Sequence, residues 1–313
     1  MRTCLVGSEM CIRDRIYSFH DLAVKMIANE TTIFQLFITR AFVGVMVTLT
    51  CLKCLNYKIG VIPVYPKLTL IRCVLMHFGF FIFFISLEKL SLSTVTALFF
   101  AAPFFITILS ALVLSERIGL IRVLIIVLGF IGVFLIVKPF KESEFSFFML
   151  APLFTAFSYA VAMVISKYTK ENENAFLQAF QQYSVSLLLS VITYIIILVF
   201  PLDLIDTEEW RFIFGSIKFD DYNILISIAI LSIFGTLGMT SLIHAYQVGS
   251  PITNGPTEYV LLILAIINGY FFFGNIPDYL SLAGIILIIL GGWALFFREH
   301  KRNKMAGKNF GSL

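Results

Sequence analysis

Stretches of about 20 predominantly apolar residues recur along almost the whole of this chain, each long enough to cross a hydrocarbon layer about 30 Å thick as a helix. No other feature limits the fold so tightly. Composition agrees, because 59% of the 313 residues are hydrophobic and 13% charged, against about 25% charged in a soluble domain. The partner this composition demands is the lipid bilayer. Net charge is a mild +4 and the basic residues form no stripe along which a phosphate backbone could run, so nucleic acid is excluded as a partner.

Residues 1–15, MRTCLVGSEMCIRDR, fit nothing downstream and read as a non-native prefix. A signal peptide would need its apolar run where Glu9, Arg13, Asp14 and Arg15 stand. The first span is then a remnant, Ile16 to Ala28, and nine further spans are expected at 33–54, 68–87, 93–114, 119–138, 147–167, 177–200, 223–246, 252–273 and 279–297. The long acidic link Pro201–Tyr222 separates two of them, with Trp210 and Phe212 expected at the membrane interface. The expected fold class is an all-α integral membrane protein of ten transmembrane helices.

Lysine and arginine are retained on the cytoplasmic side of short loops. One face collects Lys53, Lys58, Lys67, Arg72, Arg117, Arg122, Lys167, Lys170 and the tail from Arg298 to Lys308, whereas the other holds Lys89, Lys138, Lys141, Arg211 and Lys218. The C-terminal tail, 299–313, is therefore predicted to be cytoplasmic and to be drawn to the membrane surface.

Sliding the chain on itself reveals a weak repeat. A shift of 159 lays Gly79 over Gly238, Ser91 over Ser250, Thr94 over Thr253, Leu128 over Leu287 and Gly132 over Gly291; a shift of 142 lays Lys25 over Lys167 and Phe34 over Phe176. Span ends coincide under the same shifts, which predicts repeats at 16–140 and 141–298. Five spans per repeat invert the second relative to the first, the plan of secondary carriers that bind substrate between repeats near the midplane.

The stretch LEKLSLSTVTALFFAAPFFITILSALVLSERIGLIRVLIIVLGFIGVFLIVKP resembles the second part of an EamA-type repeat of the drug/metabolite transporter superfamily, through Pro103, Glu116, Arg117, Gly129, Gly132 and Pro139. GPTEYVLLILAIINGYFFFGNIPDYLSLAGIILIILGG resembles its counterpart, with Asn275 where the family usually carries an acid. HDLAVK followed by FQLFITR is similar to a bacterial branch that includes uptake carriers for S-adenosylmethionine and riboflavin. The resemblance implies a multi-pass protein of the bacterial inner membrane, a cavity lined by the first, third, fourth and sixth spans and their counterparts, and alternating access. A homodimer is one assembly open to it.

Polar residues inside apolar runs are costly unless they face a partner or a cavity. Arg40 and Lys25 are expected either to face the cavity and attract a carboxylate or phosphate, or to form an Asp21–Lys25 pair beside an Arg40 that snorkels outward. Gln178, Gln181, Gln182 and Tyr183 open the seventh span and either read a heterocyclic substrate or bind neighbouring helices. In Asn254-Gly255-Pro256-Thr257-Glu258-Tyr259, Glu258 either faces the cavity, to take a cationic group or a coupling proton, or is an acid favoured in the first turn of a helix that Pro256 opens.

His20, His77 and His244 have no metal-ligand spacing and read as packed interior residues, with a proton relay as the alternative. Cys51 and Cys54 complete no zinc site, and neither metal nor cofactor is expected. Most of the phenylalanines are expected in packing. No paired carboxylate, Ser/Lys or His-rich constellation marks an intramembrane enzyme. The function expected is secondary transport of a small polar or heterocyclic metabolite; the alternatives are export of drug-like or lipid-linked substrates, or a non-transporting receptor or scaffold.

Overall fold

A computed structural model describes residues 17–27, 30–57, 63–113, 120–138, 146–199, 211–215, 217, 222–249, 259–274 and 277–310, and every regular element among them is a helix. In order these are α1 (17–27), α2 (Ile33–Cys54), α3 (Pro66–Lys89), α4 (Leu92–Phe99), α5 (Ala102–Val113), α6 (Leu120–Val137), a single 3-10 turn (Phe147–Met149), α7 (Leu150–Tyr168), α8 (Ala175–Val199), α9 (Arg211–Phe214), α10 (Tyr222–Val248), α11 (Tyr259–Phe273) and α12 (Tyr279–Phe310).

Among the described residues, six stretches are long and apolar enough to cross a membrane: α2, α3, α4 with α5, the 3-10 turn with α7, α8 and α10. Val123–Val137, Leu264–Phe273 and Tyr279–Ala294 are shorter apolar helices. Local chemistry fixes where several begin. The Thr32 hydroxyl accepts from Gln35 N–H at 3.3 Å, the Ser91 hydroxyl from Thr94 N–H at 3.2 Å and the Asn174 side chain from Leu177 N–H at 2.8 Å, each satisfying a donor that a helix start leaves open. Pro66 opens α3, where its missing N–H costs nothing.

The span expected as continuous over 93–114 is broken. Phe100 and Ala101 separate α4 from α5, because Pro103 gives no N–H and its ring would clash with the carbonyl of Phe99 in an unbroken helix. Hydroxyls within spans bond back to their own helices, as in Thr48 to Gly44 O at 2.7 Å, Thr107 to Pro103 O at 2.8 Å and Thr236 to Ser232 O at 2.7 Å.

Packing pairs distant parts of the chain. The main contacts are α6 with α12, α3 with α7 and α8, α2 with α8 and α10, α5 with α7, and α4 with α11. A methyl added at Gly284 would lie 2.5 Å from Gly132 O, and one at Gly132 would lie 2.7 Å from Gly284 O, so backbone meets backbone where α6 crosses α12. Beside that seam Lys138 Nζ donates to Asp278 Oδ2 at 2.7 Å. Partial burial pushes the Asp278 carboxyl up, but hydrogen bonds from Lys138, Ser281 and Leu280 N–H outweigh it and hold the acid at about 2.

Large apolar side chains such as Leu120, Phe134, Leu198 and Phe271 cover the outside, the surface lipid requires. Phe212, expected at the interface, is buried in the core instead; Trp210 lies outside the described residues.

Candidate functional site

Two adjoining cavities open inside the bundle and share Arg40 and Phe80. Phe37, Arg40, Ala41, Met76, His77, Gln182, Tyr183, Ser186 and Met239 surround the first with Phe80; Tyr17, His20, Asp21, Phe83, Phe84, Thr96, Phe99, Tyr159 and Leu242 complete the second. Each offers about 40 Å³ to the centres of water molecules, room for a handful of waters. A metabolite with a ring system would have to move the walls.

Arg40 is the cation of this space. α2 carries it into the bundle, where its guanidinium carbon stands 5.7 Å from the Phe84 ring centroid, within reach of a cation–π attraction. Gly235 makes the space: a Cβ there would lie 3.4 Å from the His20 ring and 3.7 Å from an Arg40 terminal nitrogen. Among the described residues no carboxylate comes within 4.0 Å of Arg40. Across the same cavity His20 Nδ1 contacts Asp21 Oδ1 at 3.2 Å. The alternative pair, Asp21 with Lys25, is not formed.

Lys25 is not at the cavity. Its ammonium donates to Leu87 O at 2.6 Å and Leu90 O at 2.7 Å, at the end of α3, and stands 5.4 Å from the Phe273 ring centroid. The two glutamines also part company. Gln182 lines the first cavity and donates to Cys73 O at 3.2 Å, whereas Gln178 is buried away from it and donates to Ser166 O, Thr169 Oγ1 and Glu173 O. Asn254 and Glu258 lie outside the described residues, as does the side chain of Tyr259, the first residue of α11.

Around Gln178 lies a polar cluster that sequence reasoning missed. Arg72, expected among the charges of the cytoplasmic face, is fully buried; both terminal nitrogens reach Gln178 O at 3.3 Å and one donates to Gln181 Oε1 at 2.8 Å. Gln181 passes the polarity on by donating to the buried Glu173 carboxylate at 3.3 Å. Gln247 of α10 donates to Glu173 O at 2.9 Å. This cluster ties the end of α7 and the start of α8 to the start of α3.

Tyr17, Tyr159, Thr96 and the His77 to Ser186 contact at 2.8 Å are cavity features also missed from sequence. A signal for two of them existed: the shift of 142 that lays Lys25 over Lys167 lays Tyr17 over Tyr159.

Comparison with known proteins bears on what such a cavity serves. The chain is 26% identical over 239 residues to an S-adenosylmethionine uptake transporter of Rickettsia conorii, covering 75% of this chain and 74% of that one. It is 25% identical over 226 residues to the pseudopaline exporter CntI of Pseudomonas aeruginosa, covering 72% and 73%. A crystal structure of 17% identity superimposes with a TM-score of 0.63 over 93% of this chain and 96% of the other, a likeness of fold. The sequence profile of the EamA-like transporter family matches residues 16–138 and again residues 146–297. With both stretches matched, the chain belongs to the EamA-like transporter family.

Proposed function

We propose that the protein is a secondary active carrier of the bacterial inner membrane that moves a small polar or heterocyclic metabolite by alternating access, through ten spans arranged as two inverted five-helix repeats with the C-terminus in the cytoplasm. One observation carries the reading. The cavity walls come in pairs related by the sequence shifts: Tyr17 with Tyr159, Arg40 with Gln182 and Ala41 with Tyr183 at 142, Phe80 with Met239 and Phe83 with Leu242 at 159. A cavity built from equivalent positions of two repeats can present the same walls to either side as the repeats rock.

Within that space Arg40 receives an anionic group of the substrate, with Asp21 and Gln182 as further polar contacts. Glu258, flanked by Asn254 and Tyr259, faces the same cavity; the shift of 159 relates it to Phe99, a lining residue, which supports the assignment. Similarity to an exporter as well as to uptake carriers favours a second reading, in which the same cavity runs outward.

The test is flux into and out of proteoliposomes with labelled S-adenosylmethionine, riboflavin and amino acids as probes. At least one is expected to cross in the wild type, with Arg40→Met and Glu258→Gln each lowering the rate at least about tenfold, as loss of a charged hydrogen bond in a desolvated site does. Wild-type flux in both variants would remove the proposed site, and failure of every probe in either direction would favour a receptor or scaffold.

A further inference from the structure

Two lysines hold the bundle in matching fashion. Near the end of α1, Lys25 Nζ bonds the carbonyls of Leu87 and Leu90, left over where α3 stops. Near the end of α7, Lys167 Nζ bonds Gln247 O at 2.8 Å and Gly249 O at 2.5 Å, where α10 stops. An ammonium at such a terminus gains both hydrogen bonds and the negative end of the helix dipole. The shift of 142 relates the two lysines and the shift of 159 relates Leu90 to Gly249.

Each lysine also links two groups of helices, which touch elsewhere through Tyr159 with Tyr246 and His20 with Phe84. α1 lies against α10 and α11: Tyr17 Oη donates to Gly235 O at 3.4 Å, and Asn268 Nδ2 to Ser18 Oγ at 2.9 Å. α7 lies against α3 and α5: the Thr155 hydroxyl donates to Gly79 O at 2.7 Å, and Phe157 meets Phe105 edge-on at 5.7 Å. Lys25 therefore fastens the α1 group to α3, and Lys167 fastens the α7 group to α10.

The two fastenings are at opposite ends. Glu173, just past α7, accepts from Thr69 Oγ1 at 3.4 Å, and Gln178 O accepts from Arg72, so Lys167 belongs to the level where α3 begins. Lys25 is at the level of Leu87 and Leu90, where α3 finishes, 18 residues beyond Thr69 and Arg72, or about 27 Å at 1.5 Å per residue. The cavity residues of α3, Met76 to Phe84, lie between.

We propose that Lys25 and Lys167 are the two gate latches of this carrier, each closing one mouth of the cavity, so that releasing one opens its own end alone. The assignment rests on the alternating-access reading above. Both latches are closed here, in keeping with a cavity that admits only a few waters. Parting one end breaks two hydrogen bonds, and the entering water rehydrates both the ammonium and the carbonyls, which suits a contact that must open and close repeatedly.

Sidedness of labelling tests this without a substrate. The cavity residue Thr96 is replaced by cysteine in a chain whose five existing cysteines are changed to serine, and a charged methanethiosulfonate is added to one face of sealed vesicles, then to the other. Lys25→Met is expected to raise the labelling rate at least about tenfold from one face only, and Lys167→Met from the opposite face only, since even one lost hydrogen bond to a charge shifts the population by that much. Lys→Arg at either position keeps the slow rate. Should a methionine variant fail to fold by gel filtration, the neutral donor of Lys25→Gln or Lys167→Gln carries the same test. Equal labelling from both faces, acceleration from the same face by both variants, or no acceleration overturns the latches. One-sided acceleration without flux of any probe upholds the latches and counts against the substrate reading alone.

Discussion

Gln178 and Gln182 are one helical turn apart on α8, and their side chains have different surroundings. Gln178 is 0% exposed and its amide nitrogen has three acceptors in the α7–α8 turn; Gln182 borders the cavity beside Arg40. Gln178→Leu strands those acceptors and should lower stability by about 1–3 kcal/mol, read as the unfolding temperature in detergent, while transport by the folded fraction keeps its KM. Gln182→Leu should raise KM and, since only its one bond to Cys73 O is lost, lower the unfolding temperature less. The sequence made the polarity of this turn legible but not its direction, because helical spacing puts both glutamines near one face and only the return of α3 decides which is covered. For the same reason Arg72, inside the expected span 68–87, reads from sequence as one more cation of the cytoplasmic face: nothing local reveals that Gln178 and Gln181 come to meet it.

At the scale of elements, two glycines of α12, Gly284 and Gly291, meet different neighbours. A methyl at Gly284 would be 2.5 Å from the Gly132 carbonyl, whereas one at Gly291 would have nothing nearer than Ile125 O at 3.7 Å. Gly284→Ala should therefore destabilise by about 1–3 kcal/mol, the usual cost of overpacking. Gly291→Ala should be neutral or stabilising by up to about 1 kcal/mol, since alanine is the better helix former. Thermal unfolding of the pair in one detergent compares them, and equal losses would contradict the geometry. Span positions were legible from apolar runs to within a few residues, as for α2 and α10. The break at Phe100 was not, although Pro103 signalled it, because the apolar run continues across the bend and hydropathy registers no interruption.

Across the whole molecule, the Lys138–Asp278 pair joins the end of α6 to the start of α12 at the surface. A carboxyl held near 2 in the folded protein and near 3.8 in the unfolded chain stabilises fully above the higher value, and this is lost as pH falls through the lower one. Asp278 is half exposed, so screening limits the pair to at most about 1 kcal/mol. The difference in unfolding temperature between wild type and Asp278→Asn should thus be small and constant from pH 5 to pH 8; a difference that changes over that interval would mean another group titrates against Asp278. Family and transport were legible from the paired apolar segments and their motifs. The cavity walls were legible only at a few polar positions such as Arg40 and Gln182, because a shift relates positions along the chain while only packing shows which of them meet.

The pairing of α3 with α7 and α8 also sets a schedule for biosynthesis. Arg72 is separated by 106 residues from the carbonyl that receives it, so at about 5–20 residues per second a nascent chain holds this arginine without its partner for roughly 5–20 s. During that interval the charge must remain at the headgroup level, which delays the final seating of α3 until α8 has emerged from the ribosome.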